Sequence, residues 1–319
     1  MIWTNLALFV IFLIVLLKSA DYAIKYSSKL ARAMHLQEFI VSFFVIAVVS
    51  ILPEATISIM SAIQGDSQIG FGTLLGSNVA DLTIVFGIVA LFSSGGVSGG
   101  IKVKSKLLRN DFFYIVLLLF PLLLGFDGSL SRIDGGILVV IGSLFFYKMY
   151  RDSRRFSKKF DQAKREPFKK SLIFLIITLA ILITSAFLTV KYAEDFAHDV
   201  GIPAILIGVT VLALGTCLPE LAFSIKAIRK DHDDLALGDI LGTVVADGTV
   251  LLGIVALINP FSYAPSIMYV LGGAVFLSAV ISFTFMKSEK SINKIEGMIL
   301  IFFYILFIFV QFFINKGGI

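Results

Sequence analysis

Four acidic residues sit where acid is costly. Glu54, Asp81, Glu220 and Asp247 each fall near the middle of a long apolar stretch, while the other acids among the 22 lie at the ends of such stretches or between them. The spacing repeats, with 27 residues from Glu54 to Asp81 and 27 from Glu220 to Asp247. A carboxylate at the centre of a membrane helix costs about 2.5–3.5 kcal/mol even on the lenient insertion scale. Four placed in register cannot face lipid, so they must face one another or a wet cavity. Clustered anions call for cations or protons, because like charges oppose one another's ionisation. Oxygen ligands without Cys or His suit calcium, magnesium, manganese or alkali ions rather than zinc or copper. The histidines His35, His198 and His232 fall at the ends of apolar stretches. Cys217 is the single cysteine, which excludes an internal disulfide framework and a cysteine-rich zinc site. Ordinary hydrogen-bonded helix packing is the bland alternative, but no Lys or Arg lies mid-stretch to pair with these acids.

The neighbours of these acids suit the same chemistry. Pro53 and Pro219 precede the two glutamates. Each removes an amide donor and obstructs the carbonyl four residues back, so carbonyls around Val49–Ser50 and Gly215–Thr216 are freed to face an ion. Broken helices are tolerated at membrane depth only where they line a cavity or are packed in protein. Ser77 and Thr243 lie one turn before Asp81 and Asp247. Their hydroxyls can add ligands or simply bond back to their own helices. Gly72, Gly76, Gly238 and Gly242 sit four apart and predict a small-residue face for close packing of the third and eighth apolar stretches.

Positioning such groups requires a membrane scaffold, and the composition supplies one. Of 319 residues, 58% are hydrophobic, 15% are charged and 31 are Phe. A soluble domain carries roughly 45–50% apolar and about 25% charged residues. Disorder is excluded as well. Runs long enough for a bilayer of about 30 Å fall near 4–24, 37–64, 69–92, 107–126, 133–150, 171–193, 203–228, 235–258, 264–286 and 295–314. The expected fold is therefore all-α and polytopic, with ten transmembrane helices. The opening stretch lacks a basic leader region and a small-residue cleavage site, so it reads as a retained helix.

With ten spans, 24 of the 27 Lys and Arg fall on one side and three, Arg132, Lys191 and Lys316, on the other. Positive residues stay inside, so both termini are expected outside and the basic 151–170 segment in the cytoplasm. The net charge of +5 is then topological and speaks for no nucleic-acid partner. No obligate protein partner is evident either.

Shifting the chain by 166 residues lays 47–91 on 213–257 without a gap, with 18 identities in 45 positions. Aligned Pro-Glu and Asp pairs are not what chance similarity between greasy helices yields. The copies are separated by five spans, an odd number, so they have opposite topology. The chain divides into a first inverted repeat (1–150), a basic linker (151–170) and a second inverted repeat (171–319). Inverted repeats recur in secondary transporters, with the site at the midplane where the halves meet.

Leu214-Gly215-Thr216-Cys217-Leu218-Pro219-Glu220 and Gly76-Ser77-Asn78-Val79-Ala80-Asp81 resemble the alpha-repeat motifs of the calcium/cation antiporter superfamily. The resemblance is strongest to the compact prokaryotic sodium/calcium exchangers. It implies two inverted five-helix halves, with spans 2, 3, 7 and 8 as core and spans 1 and 6 sliding past it. It also implies a calcium site on Glu54 and Glu220 with carbonyls near Ser50 and Thr216. Sodium sites would draw on Ala47, Ser77, Ala213, Thr216, Thr243 and Asp247, with Asp81 beside them. A prokaryotic cell membrane is the implied location, transported Ca2+ and Na+ are the substrates, and no cofactor or catalytic residue is implied.

The chain departs from the family pattern at four places. Ile51 and Cys217 stand where hydroxyls are usual, and Asp81 and Asp239 where Asn is common. These departures make proton or potassium coupling the alternative, although the Gly-Asn-x-x-Glu pattern of the proton/calcium branch is absent. A passive cation channel and an intramembrane aspartyl protease are the rivals of other classes. The protease lacks its Gly-x-Gly-Asp context, since Ala236-Leu237-Gly238-Asp239 has no first Gly.

Overall fold

The computed structural model describes residues 2–33, 51–93, 100–102, 111–153, 168–229, 233–288 and 291–316. Nearly all of them are helical. Among them, seven stretches are long and apolar enough to cross a membrane: Ile2–Ala23, Ser67–Phe92, Phe168–Val200, Ile205–Ile225, Ala236–Ile258, Ser266–Lys287 and Lys294–Phe313. The expected span 37–64 begins outside the described residues. Its second half is a helix, Leu52–Gln64. The expected 107–126 contains a shorter apolar helix, Ile115–Leu124, and 133–150 lies within the helix Arg132–Ser153.

In chain order the helices are α1 (Ile2–Ala33), α2 (Leu52–Gln64), α3 (Ser67–Phe92), α4 (Asp111–Leu124), α5 (Arg132–Ser153), α6 (Phe168–Val200), α7 (204–216), α8 (Leu218–Ile228), α9 (233–258), α10 (Pro265–Ser288) and α11 (Lys294–Lys316). Four short strands add to the all-helical expectation: β1 (Gly100–Lys102), β2 (Ser129–Leu130), β3 (Phe261–Ser262) and β4 (Ser291–Asn293). They lie in the links between helices, where backbone groups that leave a helix still need partners. β1 pairs antiparallel with β4, and β2 with β3.

α3 and α9 form the centre. Phe71, Leu74, Leu75, Val79 and Phe86 of α3 share one buried cluster with Leu237, Leu241, Val244, Leu252 and Val255 of α9. A helix apolar around its whole circumference is one enclosed by others, and the remaining helices supply that enclosure. α2 turns into α3 through Gly65, whose φ of 94° is the left-handed conformation that closes many helices. The amide of Asp66 then bonds to Ser61 O at 2.9 Å.

The small-residue face does not work as expected. Gly72 and Gly76 press on α7 rather than on α9. A methyl group at either would stand 2.7 Å from a backbone carbonyl oxygen, that of Ile205 or Val209. The sequence shows which face of α3 is small, but only the crossing decides which helix fills it.

α1 and α6 stand apart from this core. Phe9, Leu13 and Leu16 pack on Leu182, Ala186 and Val190 in a second cluster that reaches the rest through Ile57 of α2 and Ile207 and Leu212 of α7. The Asn5 side-chain amide donates to Asp199 Oδ2 at 2.9 Å and joins the two helices near one end. At 32 and 33 residues they rise about 50 Å each, well over the bilayer's hydrocarbon core of about 30 Å. Their outer faces carry exposed Val10, Ile11, Ile14, Ile173, Ile176 and Ile177. An apolar surface of this extent on a soluble protein would be an association site; on a membrane protein it meets lipid.

Candidate cation site

The two glutamates open helices in the middle of the protein. α7 ends at Thr216 and α8 starts at Leu218, so the expected span 203–228 is broken at Cys217. Pro219 occupies the first turn of α8, where its missing amide costs no hydrogen bond. Glu220 follows in that same turn. α2 repeats the arrangement, with Ile51 before it and Pro53 and Glu54 in its first turn. The positive end of each helix dipole thus faces its glutamate and offsets some of the cost of burying a charge there.

The two aspartates mark another local feature, absent from the sequence reading. Asp81 begins a π-helical turn, Asp81–Val85, and Asp247 begins the matching one, Asp247–Leu251. Such turns insert a residue, widen the helix and recur at functional sites. The widened turn leaves a carbonyl short of its usual partner, and the Ser282 hydroxyl of α10 donates to the one at Leu82. A third π turn, Gly208–Leu212, lies in α7 just before Ala213.

All four carboxylates are fully buried. Both oxygens of Glu54, Asp81 and Glu220 lack a hydrogen-bond partner among the described residues. Asp247 has one, since Ser77 Oγ lies 2.9 Å from its Oδ2. The charges act on one another: Glu54 feels Asp247 and Asp81, and Glu220 feels Glu54, Asp81 and Asp239. An unmet buried oxygen costs about 1–3 kcal/mol, and more when charged. This set is therefore a field of acceptors of the kind that cations satisfy. It is not closed around one ion, because among the described residues no three His, Cys, Asp or Glu side chains come together as a metal-holding group. A cation here needs hydroxyls and backbone carbonyls besides the carboxylates, as hard oxygen-seeking ions accept.

The hydroxyls behave unequally. Ser77 reaches across to Asp247 rather than to the aspartate on its own helix, and the same Oγ lies 2.9 Å from Leu74 O. Its single proton serves one acceptor at a time. Thr243, its counterpart in the repeat, is buried with no partner among the described residues. Thr216 Oγ1 bonds back to Ala213 O at 3.2 Å, while the residue stands close to Glu54. Ala213 is buried, and its carbonyl also accepts the amide of Cys217. Ala47 and Ser50 lie outside the described residues.

Two further residues join the region. Asn78 is buried with both amide atoms unpartnered among the described residues, and a methyl group on Gly248 would stand 3.3 Å from its Nδ2. Its place in the Gly76–Asp81 motif was the available signal. Tyr304 of α11 is buried, its hydroxyl unpartnered among the described residues and near Asp81 and Cys217. Nothing in the apolar run around Tyr304 distinguishes it from a lipid-facing aromatic.

Comparisons with known proteins bear on the chain as a whole. Residues 4–150 and 170–313 match the family described as sodium/calcium exchanger protein. CaxA of Alkalimonas amylolytica is 30% identical over 309 residues, covering 92% of this chain and 94% of its own. The sodium/calcium exchanger MaX1 of Methanosarcina acetivorans is 24% identical, over 98% of this chain and all of its own length. Among solved structures, the sodium-calcium exchanger NCX_Mj superposes with a TM-score of 0.65 at 25% identity, covering 96% of this chain and 98% of that one.

Proposed function

The chain belongs to the sodium/calcium exchanger protein family, and we propose that it exchanges Ca2+ for Na+ across a membrane by alternating access. It is a transporter and not an enzyme, so the intramembrane protease reading falls away. The ions are transported substrates. The observation that carries the reading is the set of four buried carboxylates, three of them with no hydrogen-bond partner among the described residues, at positions related by the 166-residue repeat.

In this reading Glu54 and Glu220 bind Ca2+ with carbonyls near Ser50 and Thr216. Na+ takes oxygens from Ala47, Ser77, Ala213, Thr216, Thr243 and Asp247, with Asp81 adjacent. The two ions need overlapping oxygens of the same glutamates, so one leaves as the other binds. The dipoles that open α2 and α8 hold those glutamates in place while the α1–α6 pair slides along α2 and α7, opening the site first to one side and then to the other.

The finer architecture proposed is ten spans in two inverted halves, 1–150 and 171–319, around the 151–170 linker. Two pairs of contacts support it. Gly87 of α3 meets Gly297 of α11, where an added methyl group would stand 2.5 Å from the carbonyl oxygen, and Gly253 of α9 meets Gly135 of α5 at 2.7 Å. Gly87 and Gly253 are counterparts in the repeat. The β1–β4 and β2–β3 pairings relate the halves in the same way. The bias of 24 Lys and Arg against three supports termini outside and a cytoplasmic linker in a prokaryotic cell membrane.

Radioactive calcium uptake into proteoliposomes tests the function, comparing an imposed sodium gradient with an imposed proton gradient. Uptake driven by internal sodium, and lost in Glu54→Gln and Glu220→Gln, is expected. Uptake that follows only the proton gradient would overturn sodium coupling. Carboxylate-independent flux, or none under either gradient, would overturn the exchanger itself.

A further inference from the structure

The two halves are not equivalent at their centres, and α11 supplies the difference. Tyr304 is 2% exposed, with its hydroxyl unpartnered among the described residues. Buried tyrosine hydroxyls usually find a partner, so this one is an orphan with a polar neighbourhood. It lies within electrostatic reach of Asp81 and Cys217.

The Gly87–Gly297 contact sets that position. From it, Tyr304 lies seven residues along α11 and Asp81 six residues back along α3, roughly 10 Å in both cases. The matching step from Gly135 along α5 reaches Gly142, where a methyl group would collide with Thr249 Oγ1. One half therefore presents a phenol where the other has no room for a methyl group. The aspartates differ accordingly. Asp247 accepts from Ser77, while neither Asp81 oxygen has a hydrogen-bond partner among the described residues, the Cys217 thiol standing nearby.

We propose that the Asp81 carboxylate of the first half and the Tyr304 hydroxyl of the second form a subsite for one alkali cation, without a counterpart at Asp247 among the described residues, and that it holds the counter-ion. A single carboxylate balances one monovalent charge, and a phenolic oxygen is a hard, neutral ligand of the kind such ions accept. The subsite rests on the exchanger reading, and it adds α11 to the helices that touch an ion.

Tyr304→Phe removes the oxygen and leaves the ring to hold the packing. In proteoliposomes the variant should need about tenfold more Na+ for half-maximal calcium flux, the loss of one hydrogen-bond-strength contact to a charge. Its calcium KM should stay unchanged. Asp81→Asn should give a shift of its own, and adding Tyr304→Phe to it should have no further effect, because both act on one ion. Thermal unfolding of the purified protein gives a readout independent of transport. Na+ should stabilise Tyr304→Phe less than the parent, while Ca2+ stabilises both equally.

An unchanged Na+ dependence, an equal shift for Na+ and Ca2+, or additive effects of the two substitutions would overturn the subsite. A Tyr304-dependent response to K+ in place of Na+ would support it with K+ as the ion, whereas a response to pH alone would overturn it. A parent protein with no calcium flux would overturn the exchanger reading instead, with the Na+ stabilisation still reporting on Tyr304.

Discussion

Replacing Glu220 by Gln should stabilise the ion-free protein while abolishing its exchange. Both Glu220 oxygens are buried without a hydrogen-bond partner among the described residues, and Glu54, Asp81 and Asp239 stand near enough to act on it. One such like charge contributes roughly 2 kcal/mol of repulsion at an effective dielectric near 20. The unmet oxygens add about 1–3 kcal/mol of desolvation. Gln keeps the shape, sheds the charge and brings two donors that neighbouring carboxylates can accept. The expected gain is on the order of 3–5 kcal/mol, or a rise of roughly 6 °C in unfolding temperature for a chain of this size. The assay is thermal unfolding in detergent with choline and a chelator, repeated with calcium. At a hundredfold excess over its dissociation constant, calcium should stabilise the parent by about 2.7 kcal/mol and the variant not at all. A variant no more stable than the parent in ion-free buffer would refute the claim that unrelieved charge sits at Glu220. A variant that still responds to calcium would refute its role as a ligand.

Other expectations follow from particular contacts. Ser77→Ala should destabilise the ion-free protein by about 1–2 kcal/mol through loss of its bond to Asp247, whereas Thr243→Val, which removes an unpartnered hydroxyl, should be neutral or stabilising; equal effects in thermal unfolding would contradict the asymmetry. Gly76→Val should cost about 1–3 kcal/mol, because its Cβ meets the backbone of α7 at 2.7 and 2.8 Å, while Gly136→Ala, with open space around it, should be tolerated. Measured expression and unfolding temperature separate the two. Cysteines placed at exposed Arg151 and Asp127 should label from the cytoplasmic and the outer side respectively, with native Cys217 buried and silent; the reverse pattern would invert the proposed orientation.

Much of the site was legible because its signals are local. Hydropathy, the cost of a mid-span carboxylate and the geometry of proline all act within a few residues, so Glu54, Asp81, Glu220 and Asp247 stood out, and Pro53 and Pro219 marked helix starts. The repeat made them more legible still, since 27-residue spacing on both sides has no cause in lipid-facing helices. The π turns at Asp81 and Asp247 carried no such signal, because one inserted residue leaves the apolar pattern almost unchanged. Tyr304 was hidden for the opposite reason, since an aromatic on a greasy helix reads alike whether it faces lipid or an ion.

The sequence by itself thus determined a membrane protein with two related halves, four buried acids and the helix breaks that deliver two of them. The tertiary structure alone decided the partners: Gly72 and Gly76 against α7, Ser77 with Asp247 rather than Asp81, and Tyr304 toward Asp81 where the other half has Gly142. Neighbours along a helix follow from its 3.6-residue period. Neighbours across helices depend on crossing points and register, which arise from the packing of the whole chain and are written in no single segment of it.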